Sequence, residues 1–461
     1  MNALFVFLQT LLRNLLKMPI QTIQHKLRQI YFINTRQNKT NFFAIEIPLK
    51  HYIILIFILL VLCSYNLFTK YQTFLALKQG HVFEATILLH YTKKENSERF
   101  KLQDSQGNIF YATYKGKFKQ IAGKKALVYG KIYKCSFLQF LRSCNIYNSS
   151  LSLLPSIDKK QFLRHFINAQ HEDKLAANLY NALFFADHLE KPLRQGAIVF
   201  GLAHLIAISG FHLAILSFIF YALICPIYFI FHRYFCYRNA VYDLGLLGLI
   251  FVFFYLVLID FQPSFLRAFI MACFAYMILL FGLQITNFLN LFLCVLFGLA
   301  WNVSLLFHIG FLLSVAGVFC IFLFMRHFAS MSANYKGLKK FVFGVVLFNC
   351  LIFLQMIPIT HYFFPQFSPY QIISIPLSIL FAFIFPFVII AHIFGFGDIF
   401  DSVILWVISH EFSLSMLYTP LWFLLFYLLL CLFAMRFLWA YAASLICASI
   451  FYVINLVLFF S

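Results

Sequence analysis

The run HLIAISGFH, residues 204–212, places two histidines, a serine and a glycine inside strongly apolar sequence. Imidazole can accept, donate or carry a proton, and a hydroxyl can bond or attack. His204, Ser209 and His212 could therefore line a polar path, hold a ligand or form a nucleophile with its base. Each is costly in hydrocarbon unless it is bonded or faces water. On an unbroken helix the two histidines would point about 80° apart. Gly210 after Ser209 invites a break, and broken helices at membrane depth occur where the backbone lines a cavity or is buried in protein. Two uses fit equally: a polar lining reached by a broken or re-entrant segment, or Ser and His bonding across to neighbouring helices.

Two further stretches carry chemistry. IDFQPSFLRAFIMACF (259–274) holds Asp260, Gln262, Pro263 and Arg267 at the edge of an apolar run. A charge at such a place faces a partner or a water cavity, or snorkels to the interface; Pro263 suits the first helical position. YATYKGKFKQIAGKKALVYGKIYK (111–134) interleaves aromatics with Lys115, Lys117, Lys119, Lys124, Lys125 and Lys131. Ammonium groups beside rings are the composition that holds single-stranded nucleic acid. A solvated strand face over ordinary core aromatics would read the same. No CxxC pair exists, and His204 and His212 lack further ligands at fixed spacing, so neither a metal nor a cofactor is expected.

The elements that must position these residues follow from composition. The 461 residues are 63% hydrophobic and 11% charged, with mean hydropathy +0.86. Soluble domains are roughly 45–50% apolar and about 25% charged, so a soluble protein is excluded. Runs such as 52–68 and 240–259 reach the ~20 apolar residues that span a bilayer. The expected fold is a polytopic α-helical membrane protein with a small extracytoplasmic OB-like β-barrel near the N-terminus. Residues 1–50 carry seven Lys/Arg against Glu46, so they are expected to stay cytoplasmic, followed by an uncleaved anchor at 51–69.

Residues 70–198 hold 20 Lys/Arg and nine Asp/Glu, a net of 20 − 9 = +11. That excess asks for an anionic partner: nucleic acid, lipid headgroups or acidic polymers. About five β-rich runs between 81 and 154 predict the barrel, assigned to 70–156. Apolar residues recurring at three and four predict amphipathic interfacial helices over 157–198. A polytopic core over 199–436 and a last transmembrane helix over 437–461 complete the domains. Core spans are expected near 208–231, 240–260, 264–282, 286–301, 304–325, 341–361, 371–392, 402–418 (the weakest), 419–435 and 437–460. Of 11 cysteines only Cys135 and Cys144 fall in the extramembrane domain. An oxidising compartment would let them pair, stabilising by roughly 2–3 kcal/mol.

NALFFADHLEKPLRQGAIVFGLAHLIAISGFHLAIL (181–216) resembles the signature region of ComEC-type DNA uptake channels. Gly201, Ala203, His204, Leu205, Ala207, Ile208, Ser209, Gly210 and His212 match, with Phe211 where Leu is usual. DFQPSFLRAFIMA (260–272) is similar to the family's P-[SP]-x-[LVI]-R-A-x-x-M segment through Pro263, Arg267, Ala268 and Met271. HIGFLLSVAGV (308–318) is similar to D-x-G-F-Q-L-S-F-x-A-V, but His308 replaces the usual acid and Leu312 the usual Gln. YQIISIPLSILFAFIFP (370–386) resembles N-x-x-x-[IV]-P-L, with Gln371 at the usual Asn and Pro376 kept.

The resemblance covers roughly 50–435. It implies an inner-membrane channel passing single-stranded DNA from periplasm to cytoplasm, with the β domain periplasmic. The β domain and surface helices would collect DNA. The lysines, Arg267, His204 and His212 would meet phosphates or bases. Implied partners are single-stranded DNA, membrane lipids, a periplasmic DNA receptor, a cytoplasmic helicase-like ATPase and a separate nuclease. The metallo-β-lactamase-like domain of many members has no H-x-H-x-D-H counterpart here. No G-x-x-x-x-G-K-[ST] loop is present, so the expectation is a channel rather than an enzyme.

Two other classes stay open. A-I-S-G (207–210) is similar to the G-x-S-G turn of rhomboid-type intramembrane serine proteases, with His308 or His361 as base by position only. A lipid or polysaccharide flippase would use the basic outer domain to bind acidic headgroups or glycans.

Overall fold

A computed structural model describes residues 49–94, 97–104, 106–115, 123–154, 160–232, 234, 237–280, 288–331, 337–409 and 413–460. Lys117, Lys119 and the basic segment before residue 49 lie outside the described residues, and Lys115 is described only as the last residue of a strand.

Helix α1 (Leu49–Gln79) has 31 residues, about 46 Å at 1.5 Å per residue. That exceeds the ~30 Å hydrocarbon core, and its last turns enter a β domain: Phe74 and Leu77 join the barrel's apolar core. The barrel is formed by β1 (His81–Lys94), β2 (Ser97–Asp104), β3 (Ile109–Lys115), β4 (Lys125–Ile132) and β5 (Cys144–Leu153). It closes in the order β1-β2-β3-β5-β4, with β3–β5 parallel and β4 antiparallel to both β5 and β1. Period-two alternation does the sorting. On β4, Ala126, Val128, Gly130 and Ile132 point inward while Lys125 and Tyr129 are exposed. Gly130 is required by close approach: a Cβ there would lie 2.0 Å from Ile146 Cγ2.

Short helix α2 (Phe137–Arg142) closes the barrel floor and opens with a Ser136–Gln139 capping box. Phe140 packs 5.3 Å from Phe74 and 6.0 Å from Phe110, ring centre to ring centre. A disulfide joins Cys135 to Cys144 across this helix.

Three helices follow: α3 (Gln161–Asn168), α4 (Lys174–Phe185) and α5 (Lys191–Val199). Phe162 on α3 is 80% exposed, as on an interfacial amphipathic helix. By contrast, Tyr180, Leu183 and Phe185 of α4 bury against Ile215, Phe385 and Val388.

Eleven α-helices follow among the described residues: α6 (Ala203–Ile206), α7 (Gly210–His232), α8 (Ala240–Leu258), α9 (Pro263–Leu280), α10 (Phe288–Trp301), α11 (Ile309–Met331), α12 (Gly337–Phe363), α13 (Ser374–Ile393), α14 (Asp401–Ser409), α15 (Leu421–Ala434) and α16 (Leu438–Phe460). Among the described residues seven helices are long and apolar enough to cross a membrane, and three shorter apolar ones accompany them.

The expected span 402–418 does not form. Helix α14 has nine residues, under half a hydrocarbon thickness. The chain then reaches strand β7 (Ser415–Met416), which pairs with β6 (Gln366–Phe367). Among the described residues after α14, Ser413 stands outside any helix and Ser415 lies in the strand. The segment between β6 and β7 thus returns to the end it left. At the opposite end, His327 near the end of α11 meets the Ala434 carbonyl oxygen at 2.8 Å, and its ring stacks on Tyr441. This contact puts the α15–α16 turn, with Arg436, beside Arg326 without requiring 402–418 to cross.

Candidate functional site

The 201–212 run breaks twice. Gly201 sits at φ +65°, where any side chain is strained, and a Cβ would lie 3.3 Å from the Gln371 carbonyl oxygen. Helix α6 then lasts four residues and ends at Ala207 in extended geometry, φ −65° and ψ 123°. Helix α7 starts afresh at Gly210. Ser209 Oγ accepts the Phe211 amide at 3.3 Å, and His212 Nδ1 accepts the Ser209 amide at 3.3 Å. Serine and histidine together therefore satisfy amides at the broken end, as N-caps do. The His212 ring is fully buried, edge-on to Phe381 and Phe385 at 5.4 and 4.9 Å. Its Nε2 is buried with no hydrogen-bond partner among the described residues. His204 is exposed and reaches back to the Gly201 backbone. Ser209 and His212 come together; no described hydrogen bond joins His204 to His212.

Gln371 lies on the far side of Gly201. Its Nε2 donates to the carbonyl oxygens of Gln366 at 3.0 Å and Ile198 at 3.4 Å. It fastens the end of α5 to the loop carrying β6.

The turn from α8 to α9 runs through two left-handed residues, Asp260 at φ 53° and Phe261 at φ 54°. The Gln262 carbonyl accepts the Phe265 and Leu266 amides, and Pro263 opens α9. Asp260 turns outward and pairs with Lys160 at 2.8 Å. Arg267 is left without it. Its side chain is 8% exposed, and Nε and Nη1 have no partner among the described residues. The guanidinium lies over the Phe311 ring, 5.7 Å from its centre. It also faces a cavity of about 30 Å³ between α9, α10 and α11, which Ser314 and Cys294 help to line.

On the barrel, Lys124 and Lys125 are exposed at the start of β4. Lys131 stands 5.2 Å over the Tyr133 ring, and Tyr133 meets Tyr147 edge-on at 6.2 Å. Tyr129, Tyr133 and Tyr147 are all exposed. Nearby, Arg99 lies over Tyr111 at 4.7 Å. This face thus presents ring faces and cations together.

Sequence reasoning missed two clusters, because their members lie far apart in the chain. In the first, Lys70 of α1 is 2% exposed and donates to Asn108 Oδ1 at 2.6 Å and Ser304 Oγ at 2.9 Å. Asp104 holds Asn108 through backbone and side chain, and burial pushes the Asp104 carboxyl up from its ordinary range. Asn302 Nδ2 donates to the Gln106 carbonyl at 3.1 Å. These bonds bolt the barrel to the end of α10.

In the second, His171 Nδ1 meets Asp401 at 2.9 Å and its Nε2 meets His392 Nε2 at 3.2 Å. His392 Nδ1 donates to the Val388 carbonyl at 2.7 Å. His392 therefore accepts at Nε2, His171 donates there, and one proton sits between His171 and Asp401. Tyr180 stacks on His171 at 4.6 Å. The cluster ties the α3–α4 turn to the end of α13. Its members, 171, 392 and 401, share no local spacing that could have signalled it.

Comparison with curated proteins and with solved structures gave no match. Residues 185–460 match the family model described as Competence protein, which spans the broken run, Arg267, Gln371 and every helix from α5 onward. The chain belongs to the Competence protein family.

Proposed function

We propose that this protein is an inner-membrane channel that conducts single-stranded DNA from the periplasm to the cytoplasm during natural transformation. The observation that carries the reading is the interrupted helix at 201–212 inside a Competence-family helical core. A polyanion cannot cross hydrocarbon, so it needs polar groups at membrane depth, and broken helices supply them where backbone lines a cavity. His212 Nε2 and the Arg267 guanidinium are buried groups in that core with hydrogen-bonding capacity to spare.

The barrel is the collector in this reading, and it faces the periplasm. Its exposed tyrosines offer stacking faces, while Lys124, Lys125 and Lys131 offer charge to phosphates. The channel motif of the core comprises His204, Ser209, Gly210, His212, Asp260, Gln262, Pro263, Arg267 and Gln371, of which His204, His212 and Arg267 would meet phosphates or bases. A periplasmic receptor would deliver DNA, a helicase-like ATPase would pull it, and a separate nuclease would remove the other strand.

The test is binding of single-stranded oligonucleotides by the full chain in nanodiscs across a salt series. Log affinity should fall linearly with log salt, by about 0.7 per phosphate contacted. Combined Lys124→Glu and Lys125→Glu should weaken binding at every sequence. Binding of acidic lipid or glycan without binding of DNA would favour the flippase reading instead.

A further inference from the structure

Helix α13 has the length and composition of a crossing helix. Its 20 residues rise about 30 Å, and none of them is Asp, Glu, Lys or Arg. Its contacts place both of its ends on one side. Just before its start, Gln371 closes on Gly201 and donates to the Ile198 carbonyl at the end of α5. At its finish, the His392 carbonyl accepts Gln170 Nε2 at 3.1 Å, and Gln170 Oε1 accepts the Gly397 amide at 3.0 Å. His392 Nε2 also lies 3.2 Å from His171 Nε2, and its ring centre 5.1 Å from that of Phe184. Both ends of α13 are thus tied to the segment 160–201.

That segment belongs to the barrel end of the helical core. Lys160 pairs with Asp260 in the α8–α9 turn. The Phe184 carbonyl accepts the Tyr255 hydroxyl at 2.8 Å, in the last turn of α8. Arg267, one turn into α9, lies beside Gly310 at the start of α11. Ser304, just before α11, binds Lys70 of the barrel joint. The α8–α9 turn, the start of α11 and the barrel therefore share one end. Phe184 links His392 to that end through two contacts, far short of a ~30 Å hydrocarbon core. After α13, nine-residue α14 leads back to β7 on β6.

Water is no alternative home for this helix. One face is packed in the core, where Phe385, Val388 and His392 are buried. The other carries Leu380, Phe387 and Ile390, each half exposed and on one side of the helix by their spacing. A helix apolar all round belongs inside protein or in hydrocarbon. Its internal hydrogen bonds let it lie in lipid without an unsatisfied backbone.

We infer that α13 does not cross the membrane but lies along the barrel-side leaflet, with its exposed stripe seated on the acyl chains of that leaflet. The expected span 371–392 is then not a crossing. Lipid is the occupant because the stripe continues the exposed apolar surface of the adjoining helices α7 and α12, as at Ile227 and Val346, and no charge interrupts it. The inner face then acts as a wall. Phe381 and Phe385 stand edge-on to His212 and keep acyl chains from the broken run, whatever the core transports.

The test is side-specific labelling of the full chain in sealed vesicles. Unpaired cysteines are replaced by alanine, and an impermeant thiol reagent is applied to one side at a time. Tyr147→Cys on the barrel and Tyr237→Cys in the α7–α8 turn, both exposed, mark the two sides. Tyr370→Cys precedes α13 and Asp398→Cys follows it, again at exposed positions. Both should be modified from the Tyr147 side alone. Modification of Asp398→Cys from the Tyr237 side, or from neither side, would overturn the placement. Nitroxides at Leu380→Cys and Phe387→Cys then identify what covers the stripe. Acyl chains predict frequent collision with oxygen and rare collision with a water-soluble nickel chelate at both positions. Rare collision with both reagents would mean that a protein partner or a second copy of the chain covers the stripe. Frequent collision with the chelate would put it in water. Either result would overturn the lipid contact.

Discussion

The barrel joint closes its buried polar groups on one another, whereas part of the helical core leaves such groups open. At the joint, Lys70, Asn108, Asp104, Ser304 and Asn302 close on one another. In the core, His212 Nε2, two nitrogens of Arg267 and both amide atoms of the Gln355 side chain are buried without partners among the described residues. A closed network fixes a geometry, whereas open donors and acceptors are stabilised only when something else arrives. The joint is satisfied within itself, whereas these core groups keep hydrogen-bonding capacity unmet among the described residues.

Phe110→Ala empties the centre of the barrel and should cost about 3–5 kcal/mol. Hydrogen exchange should quicken across β1–β5 and stay unchanged in α7–α16 if the two regions are separately held. Lys70→Met leaves Asn108 and Ser304 without their cation, so the joint should lose about 3 kcal/mol. Loosening would appear as faster proteolysis between the barrel and α10. Cys144→Ser removes the disulfide across α2 and should cost roughly 2–3 kcal/mol, read as a lower barrel midpoint in non-reducing conditions. Gln355→Leu should move the other way, gaining about 1 kcal/mol, because it removes an amide the core leaves unbonded. A loss there would show that the core is as closed as the joint.

The smallest effect is in pH. Burial raises the Asp104 carboxyl, so the folded protein holds this proton more tightly than the unfolded chain. Its contribution favours folding below the unfolded pKa and is lost as pH rises through the raised folded value. Asp104→Asn should flatten that slope in Tm against pH.

What was legible in the sequence was local. Alternation at Ala126, Val128 and Ile132 outlined β4, Pro263 marked the start of α9, and Gly210 after Ser209 marked a break. The pairings were not legible, because long-range partners leave no periodic trace. Asp260 turned to Lys160, a hundred residues upstream in the chain, rather than toward Arg267. The His171–His392–Asp401 chain draws on elements more than 200 residues apart. The apolar stretch at 402–418 was long enough on paper, but α14 stops after nine residues and the β6–β7 pairing takes the chain back.

Transport is tested by following fluorescent DNA in the source bacterium with this gene deleted. DNA should still enter the periplasm, never reach the cytoplasm, and yield no transformants. Cytoplasmic DNA and undiminished transformation in the deletion strain would contradict it.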